Sequence, residues 1–334
     1  MPTDLLVRPT PSAPDIVDDA TRREFLAGAA ALLVAAACAS EKGTDAAPTR
    51  GTAAPASRRV RHGLGETDVP ARPERVVCLT GPGLDNCLAL GVTPVAAVGF
   101  HRTQAVSWAK VPPTVEVVEG EINLERVASF RPDLILGWSN VMEQEYQRYS
   151  SIGPSVGVPI VTTPRAGSIG DIREAFAVVA DAVNRQEQEK EVLGDLSARI
   201  ASFGAAAKRK GPLPSVSLLG FYEPAAAQYF EASRPALALL AEAGFTVVSP
   251  PERIRSFSVE RLPELTADFL LVFGGGGGEA GPKSLADAQA TPLWSRVPAV
   301  AAGRWAEVSA AVGGGFGILW AFATLDEVSR IFAS

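Results

Sequence analysis

The chain has 334 residues, long enough for two domains of ordinary size, and its 47% hydrophobic against 20% charged residues provide for a sizeable core. A net charge of −6, with no basic block beyond the first residues, argues against a nucleic-acid partner, which needs a clustered basic face. Only two histidines are present, His62 and His101, which excludes a histidine-rich metal site.

The N-terminus reads as an export signal. Arg22-Arg23 precedes the apolar run Ala27–Ala37 and then Cys38, a twin arginine, a short apolar stretch and small residues at the cleavage point. The run is too short to span a bilayer. Its end resembles a bacterial lipoprotein box, with Ala35 where leucine is commonest, so Cys38 is the expected lipidation site and residues 1–37 the signal peptide. Residues 38–57, rich in Ala, Thr, Pro and Gly without apolar period, read as a disordered tether.

From residue 58 the chain alternates strand and helix patterns. The first half offers strands at Val76–Leu79, Pro94–Val98, Leu134–Leu136 and Val158–Val161, and helices at Leu84–Leu90, Leu124–Ser129 with Asn123 as N-cap, Glu143–Ser151 and Ser168–Val183. Gln186–Lys208 follows as one amphipathic helix of roughly 33 Å. Val192, Leu193, Leu196, Ile200, Phe203 and Ala207 recur at helical spacing, glutamates lie early and basic residues late, and Gly211-Pro212 stops it. Gly194 and Gly204 weaken it slightly. The second half has strands at Ser215–Leu219, near Thr246–Val248, at Asp268–Phe273 and at Gly303–Val308, with helices at Pro235–Ala243, Val259–Leu265 and Phe316–Phe332. The halves echo each other: Leu124-Glu125-Arg126-Val127 before Asp133-Leu134-Ile135 matches Val259-Glu260-Arg261-Leu262 before Asp268-Phe269-Leu270. The expected class is α/β. Two Rossmann-like lobes with largely parallel sheets, 58–184 and 211–334, are bridged by a helix over 186–209. Cys78 and Cys87, on a strand and its own following helix, are expected as buried free thiols.

Enzyme signatures are missing. Gly81-Pro82-Gly83-Leu84-Asp85 after the first strand is not a Gly-x-Gly-x-x-Gly loop, and there is neither a phosphate-binding Gly-Lys-Ser/Thr motif nor a Gly-x-Ser-x-Gly elbow.

An ordered series of segments resembles a known family. Pro70-Ala71-Arg72-Pro73-Glu74-Arg75-Val76-Val77, Leu90-Gly91-Val92-Thr93-Pro94, Asn123-Leu124-Glu125-Arg126-Val127 with Arg131-Pro132-Asp133-Leu134-Ile135, Pro292-Leu293-Trp294 and Gly303-Arg304 run through nearly the whole chain after the tether. Together they are similar to the substrate-binding lipoproteins of iron-siderophore ABC importers, a group of helical-backbone (class III) periplasmic binding proteins that includes haem and cobalamin binders. The resemblance implies two lobes joined by one long helix. It also implies capture of a ferric siderophore in the cleft between them, delivery to an ABC importer permease, and no enzymatic activity or cofactor. Haem or cobalamin is the alternative ligand. The implied protein is a monomer held to the outer face of the cell membrane through lipidated Cys38.

Ligands of doubly wound sheets sit beyond the carboxyl ends of the strands. That rule selects Arg102, Arg165, Arg253 and Arg255 to pair with an anionic chelate, and Trp138, Phe221 and Tyr222 to pack against it, with Trp108 as an addition. The Gly274–Gly278 run is a further cleft-facing loop. His101 is the one candidate axial haem ligand, although a lone loop histidine more often only hydrogen-bonds. Four scattered tyrosines are too few to hold bare Fe³⁺, so the iron is expected to arrive chelated, with no protein ligand to the metal. In the family an exposed glutamate on each lobe meets permease arginines; Glu143 is the counterpart expected on the first lobe, and Glu242, or else Glu231, is a looser match on the second.

Overall fold

The computed structural model describes residues 56–100, 109–159, 169–250, 254–275, 279–315 and 317–334, with the backbone alone for Pro82, Phe100 and Arg255. The signal peptide, Cys38 and almost all of the expected tether lie outside these residues.

An antiparallel hairpin opens the fold, β1 (Ser57–His62) and β2 (Gly65–Pro70), turning at Gly65 with φ 123°. The first α/β half follows: β3 (Val76–Cys78), α1 (Gly81–Ala89), β4 (Ala96–Phe100), β5 (Glu116–Glu119), α2 (Leu124–Ser129), β6 (Leu134–Trp138), α3 (Ser139–Met142), α4 (Tyr146–Ile152), β7 (Ser155–Val158) and α5 (Gly170–Val183). Its five strands are all parallel, in the order β5-β4-β3-β6-β7. The expected cap of α2 is present, Asn123 Oδ1 accepting from Arg126 N at 3.0 Å. The fourth strand lies three residues earlier than the apolar run suggests: Ser155–Val158 pairs with Ile135–Trp138 and ends before Pro159, which has no N–H to extend the ladder.

Asn184, in the left-handed region at φ 58°, closes α5 and lets the chain re-enter a helix at once. That helix is α6, Gln186–Lys210, 25 residues ending at Gly211 with φ 147°. Leu196, Ile200, Phe203, Gly204 and Ala207 form its buried stripe. It packs on α5 and on the last helix of the second half.

The second half comprises β8 (Ser215–Glu223), β9 (Ala226–Tyr229), α7 (Pro235–Glu242), β10 (Thr246–Val247), β11 (Ile254–Ser258), a 3₁₀ segment Val259–Glu264, β12 (Phe269–Gly274), α8 (Ala280–Gln289), α9 (Pro298–Ala301), β13 (Trp305–Glu307), α10 (Ala310–Gly314) and α11 (Ile318–Phe332). This sheet is mixed, where repetition of the first half's pattern suggests a mostly parallel one. β10, β12 and β13 continue the parallel arrangement with β8, but β8 turns at Pro224-Ala225 (Ala225 φ 60°) into antiparallel β9, and β11 adds antiparallel to β9. The segment 259–264 is 3₁₀ rather than α because Pro263 inside it has no N–H to donate.

The sequence echo between the halves is a structural one. Asp133, ahead of β6, accepts from Glu74 N and Arg75 N at the start of β3 (2.7 and 2.8 Å). Asp268, ahead of β12, accepts from Ser215 N at the start of β8 (3.0 Å). In each sheet one aspartate ties the beginnings of two neighbouring central strands.

Side chains alternate across each sheet. Val76, Cys78, Leu134 and Leu136 of the first sheet and Val216, Leu218, Leu271 and Phe273 of the second enter one continuous buried cluster with helices α1, α5, α6, α7 and α11. The opposite faces, with Val77 and Ile135 in the first sheet and Leu219, Leu270 and Val272 in the second, have separate cores. Cys78 and Cys87 are buried free thiols in the shared cluster.

Candidate functional site

A parallel α/β half presents its loops at the carboxyl ends of its strands, so the relation between the two carboxyl ends decides whether a cleft is formed. They are brought together by α1 and α11. Asn86 Oδ1 accepts from Ile318 N (3.1 Å), and the Asp85 carboxylate from Leu319 N (2.8 Å) and Trp320 N (3.0 Å). The segment that follows β3 thus touches the segment that follows β13, and Thr80–Gly83 shares a side of the molecule with Gly317 and the start of α11.

In the first half this end carries the start of α1, where Thr80 is extended (φ −149°, ψ 156°) and Pro82 sits in the first turn. Thr80 Oγ1 is buried without a hydrogen-bond partner. Trp138, at the end of β6, is half-buried and lies against the shared core. Next to it, Ser139 Oγ donates to Val158 O at 3.1 Å and ties α3 to β7.

In the second half the same end is an aromatic floor. The half-buried Tyr222 meets Phe273 edge-on, with centroids 5.9 Å apart and planes at 85°. Phe273 stacks on Phe230, also at 5.9 Å. The Arg234 guanidinium lies 5.0 Å over the Phe230 ring and donates through Nε to Gly313 O at 2.9 Å. The backbone passes close above these rings: a Cβ at Gly313 would lie 1.9 Å from Phe273, and one at Gly275 would lie 2.3 Å from Tyr222. Glycine at these two positions is therefore a packing requirement, and it lays the post-β12 and post-β13 loops on the floor. Phe230, Phe273 and Arg234 are missed by sequence reasoning. Phe273 reads as the last strand residue, and Arg234 as a residue ahead of a Pro-initiated helix; neither signal names a shared floor.

Of the residues expected from the sequence, Trp138 and Tyr222 stand at these carboxyl ends. Phe221 does not: it is 0% exposed and packs in the second half's outer core with Leu219, Ala227, Tyr229 and Phe257. Adjacent strand residues face opposite ways, so Tyr222 and Phe221 cannot both line the cleft. Arg255 belongs to edge strand β11 rather than to a loop. His101, Arg102, Trp108, Arg165 and Arg253 lie outside the described residues. Glu143 is exposed after α3. Glu242 is not a free surface carboxylate, since it pairs with Arg173 (Nη1 to Oε2, 3.0 Å) and accepts from Ile169 N at 3.3 Å. No group of three or more His, Cys, Asp and Glu side chains suited to a metal ion occurs among the described residues.

Residues 76–311 match the family model described as periplasmic binding protein. The chain belongs to that family. The fold is that of its class III, two α/β halves with one long helix between them. The chain is 28% identical over 273 residues to YfiY of Bacillus subtilis, a probable siderophore-binding lipoprotein, covering 73% of this chain and 76% of that protein. It is 25% identical to the Fe(3+)-citrate-binding protein YfmC of the same organism, over 74% of this chain and 77% of the relative. Among solved structures, the Fe3+-Desferal-bound siderophore-binding protein FhuD of Vibrio cholerae superposes with a TM-score of 0.67 at 23% identity, covering 78% of this chain and 98% of that one.

Proposed function

We propose that this binding protein captures a ferric siderophore, or a related anionic iron chelate, between the carboxyl ends of its two sheets and delivers it to the permease of an ABC importer. It is not an enzyme on this reading. The observation that carries the proposal is the joining of the two carboxyl ends into one site in a chain whose relatives are a probable siderophore-binding lipoprotein and a ferric-citrate-binding protein. The half-buried Tyr222 ring and the half-buried Arg234 guanidinium at this end suit a ligand with an apolar periphery and a negative charge. Trp138, Tyr222 and Arg234 would contact the chelate from the described segments, and Arg102, Arg165, Arg253 and Arg255 would supply further cationic contacts. The iron stays inside its chelator, so no protein ligand to it is required.

Docking would use Glu143 on the first half. By the internal repeat β12 corresponds to β6, and the exposed Glu279 follows β12 as Glu143 follows β6, so Glu279 would serve on the second half, where Glu242 is paired with Arg173. Export under the twin-arginine signal and anchoring through lipidated Cys38 would hold a monomer at the membrane's outer face.

Titration of tryptophan fluorescence with ferric citrate and ferric desferrioxamine tests the reading, with haemin and cobalamin in parallel. Saturable quenching by a ferric chelate is expected, abolished when Arg165 and Arg253 are both reversed in charge. Saturable haemin binding with a Soret shift lost in His101→Ala, and no response to any ferric chelate, would overturn it. Membrane attachment is read separately: Cys38→Ser should release the protein, and unchanged attachment would remove the lipid anchor.

A further inference from the structure

Two contacts between the halves have the same construction and opposite direction. Asp85 and Asn86 lie on α1, which follows the first strand of the first sheet. Both are fully buried, and both accept from first-turn amides of α11, the closing helix of the second half. In return Glu242, at the end of α7 in the second half, accepts from Ile169 N directly ahead of α5, the closing helix of the first half, and pairs with Arg173 in that helix's first turn. A helix start has backbone donors without intrahelical partners and a partial positive charge, so an acidic side chain is a fitting cap. Here both caps come from the other half of the molecule.

From this geometry we infer that the two reciprocal caps pin the halves together and define the axis about which the cleft can open. Two fixed points leave rotation about the line through them as the soft motion; any other displacement pulls the capping oxygens away from the amides they accept from. The first point is especially tight. A Cβ at Gly317 would lie 2.1 Å from Asp85 Cγ, so the backbone approaches the carboxylate at a distance that only glycine permits. Helix α6 rests on α5 and α11, the same two helices whose starts are capped, so strut and pins act on one frame. The consequence for the site is that Thr80–Gly83 on one side and Gly317 with the start of α11 on the other are held in register before any ligand arrives. Asp85, Asn86 and Glu242 are positioning residues that act through the loops they hold. The effect on affinity rests on the ferric-chelate reading above, whereas the pinning itself does not.

Hydrogen exchange on the full chain tests the pins without assuming a ligand. The amides of Ile169, Ile318, Leu319 and Trp320 should be strongly protected in the free protein and equally protected with ferric citrate. Fast exchange in the free protein that slows on loading would overturn the proposal, because the caps would then be products of closure. Spin labels at Arg148→Cys and Lys283→Cys, one on each half, supply the second readout. In Asp85→Ala and in Glu242→Ala the inter-label distance distribution should broaden, and ferric citrate should dissociate about ten-fold faster. Asp85→Asn, which keeps one acceptor oxygen, should fall between. Lower melting temperature with an unchanged distance distribution would reduce the caps to ordinary structural contacts and overturn the axis. Absence of any ferric-chelate binding would remove the ligand reading while leaving free-state exchange and the distances to decide the pins; should the alanine variants not fold, the wild-type exchange pattern decides alone.

Discussion

His62 shows how one side chain ties the entry hairpin to the first sheet. Its Nδ1 accepts from Leu64 N (3.1 Å) and Gly157 N (3.3 Å). The Thr67 and Tyr146 hydroxyls lie 2.9 and 3.3 Å from Nε2, within 2.9 Å of each other and of Ser155 O, and with Nδ1 already accepting from two amides the ring proton belongs on Nε2. Only the neutral Nε2–H tautomer satisfies this set. Burial lowers the imidazole pKa below its ordinary 6.5, in the same direction. The folded state therefore binds fewer protons than the unfolded chain near pH 6. The stability that His62 contributes is complete above pH 6.5 and is lost as pH falls below that value. Urea midpoints should drop between pH 7.5 and pH 5, and His62→Gln should flatten that part of the profile; an equal slope in the variant would assign it to other groups. At pH 7.5 His62→Ala should cost about 1–3 kcal/mol, because two backbone amides lose their acceptor. Cys78 is a second buried titratable group, its thiol pKa pushed up by burial and by the adjacent Cys87. Ellman's reagent on a Cys38→Ser chain should find no reactive thiol under native conditions and two in denaturant. A native titre of one or two would contradict the buried placement.

Helix α6 is where sequence and structure can be compared most closely. Its span, amphipathic stripe, charge order and terminating glycine are all legible locally, since each depends on residues within a few turns. The different weight of its two glycines is not. A Cβ at the exposed Gly194 would meet no atom within 4 Å, whereas a Cβ at Gly204 would lie 2.2 Å from Ala243 O, a backbone atom just past α7. Gly194→Ala should stabilise the protein by about 0.5–1 kcal/mol through helix propensity. Gly204→Ala should destabilise it by about 1–3 kcal/mol, because α6 must move off α7. Thermal or urea unfolding of the two variants checks both signs, and equal shifts would mean that the close approach is absent. The strands missed in the second half follow the same logic. Ala226-Ala227-Gln228-Tyr229 carries little strand propensity of its own and becomes β9 because β8 supplies its partner edge. Likewise Phe221 and Tyr222 look equivalent in sequence until strand register assigns one to the core and the other to the floor.

At the scale of the molecule, the halves are distinct as sheets but not as cores. The buried cluster that begins with Val76 and Leu134 in the first sheet continues through Phe176, Val179, Leu196 and Ile200 into Val216, Leu218, Leu271 and Trp320. The described residues all fall within one compact unit. Separating the halves would expose the inner faces of α1, α5 and α11 together with the stripe of α6, and each buried apolar side chain left exposed costs about 1.5–3 kcal/mol. It would also strand the amides that Asp85, Asn86 and Glu242 cap. A half standing alone is thus less stable than the sum of its own contacts suggests, and loss of one half should carry the other with it. Equilibrium urea unfolding should then show a single transition. Far-ultraviolet dichroism, which reports both sheets, should coincide with tryptophan fluorescence, which weights the second half through Trp294, Trp305 and Trp320. A chain ending at residue 184 should fail to show a cooperative transition, since the surface it normally buries against α6 and α11 would face water. Two resolved transitions in the whole protein, or cooperative folding of that fragment, would show that the continuous core contributes little and that the long helix alone joins two independent domains.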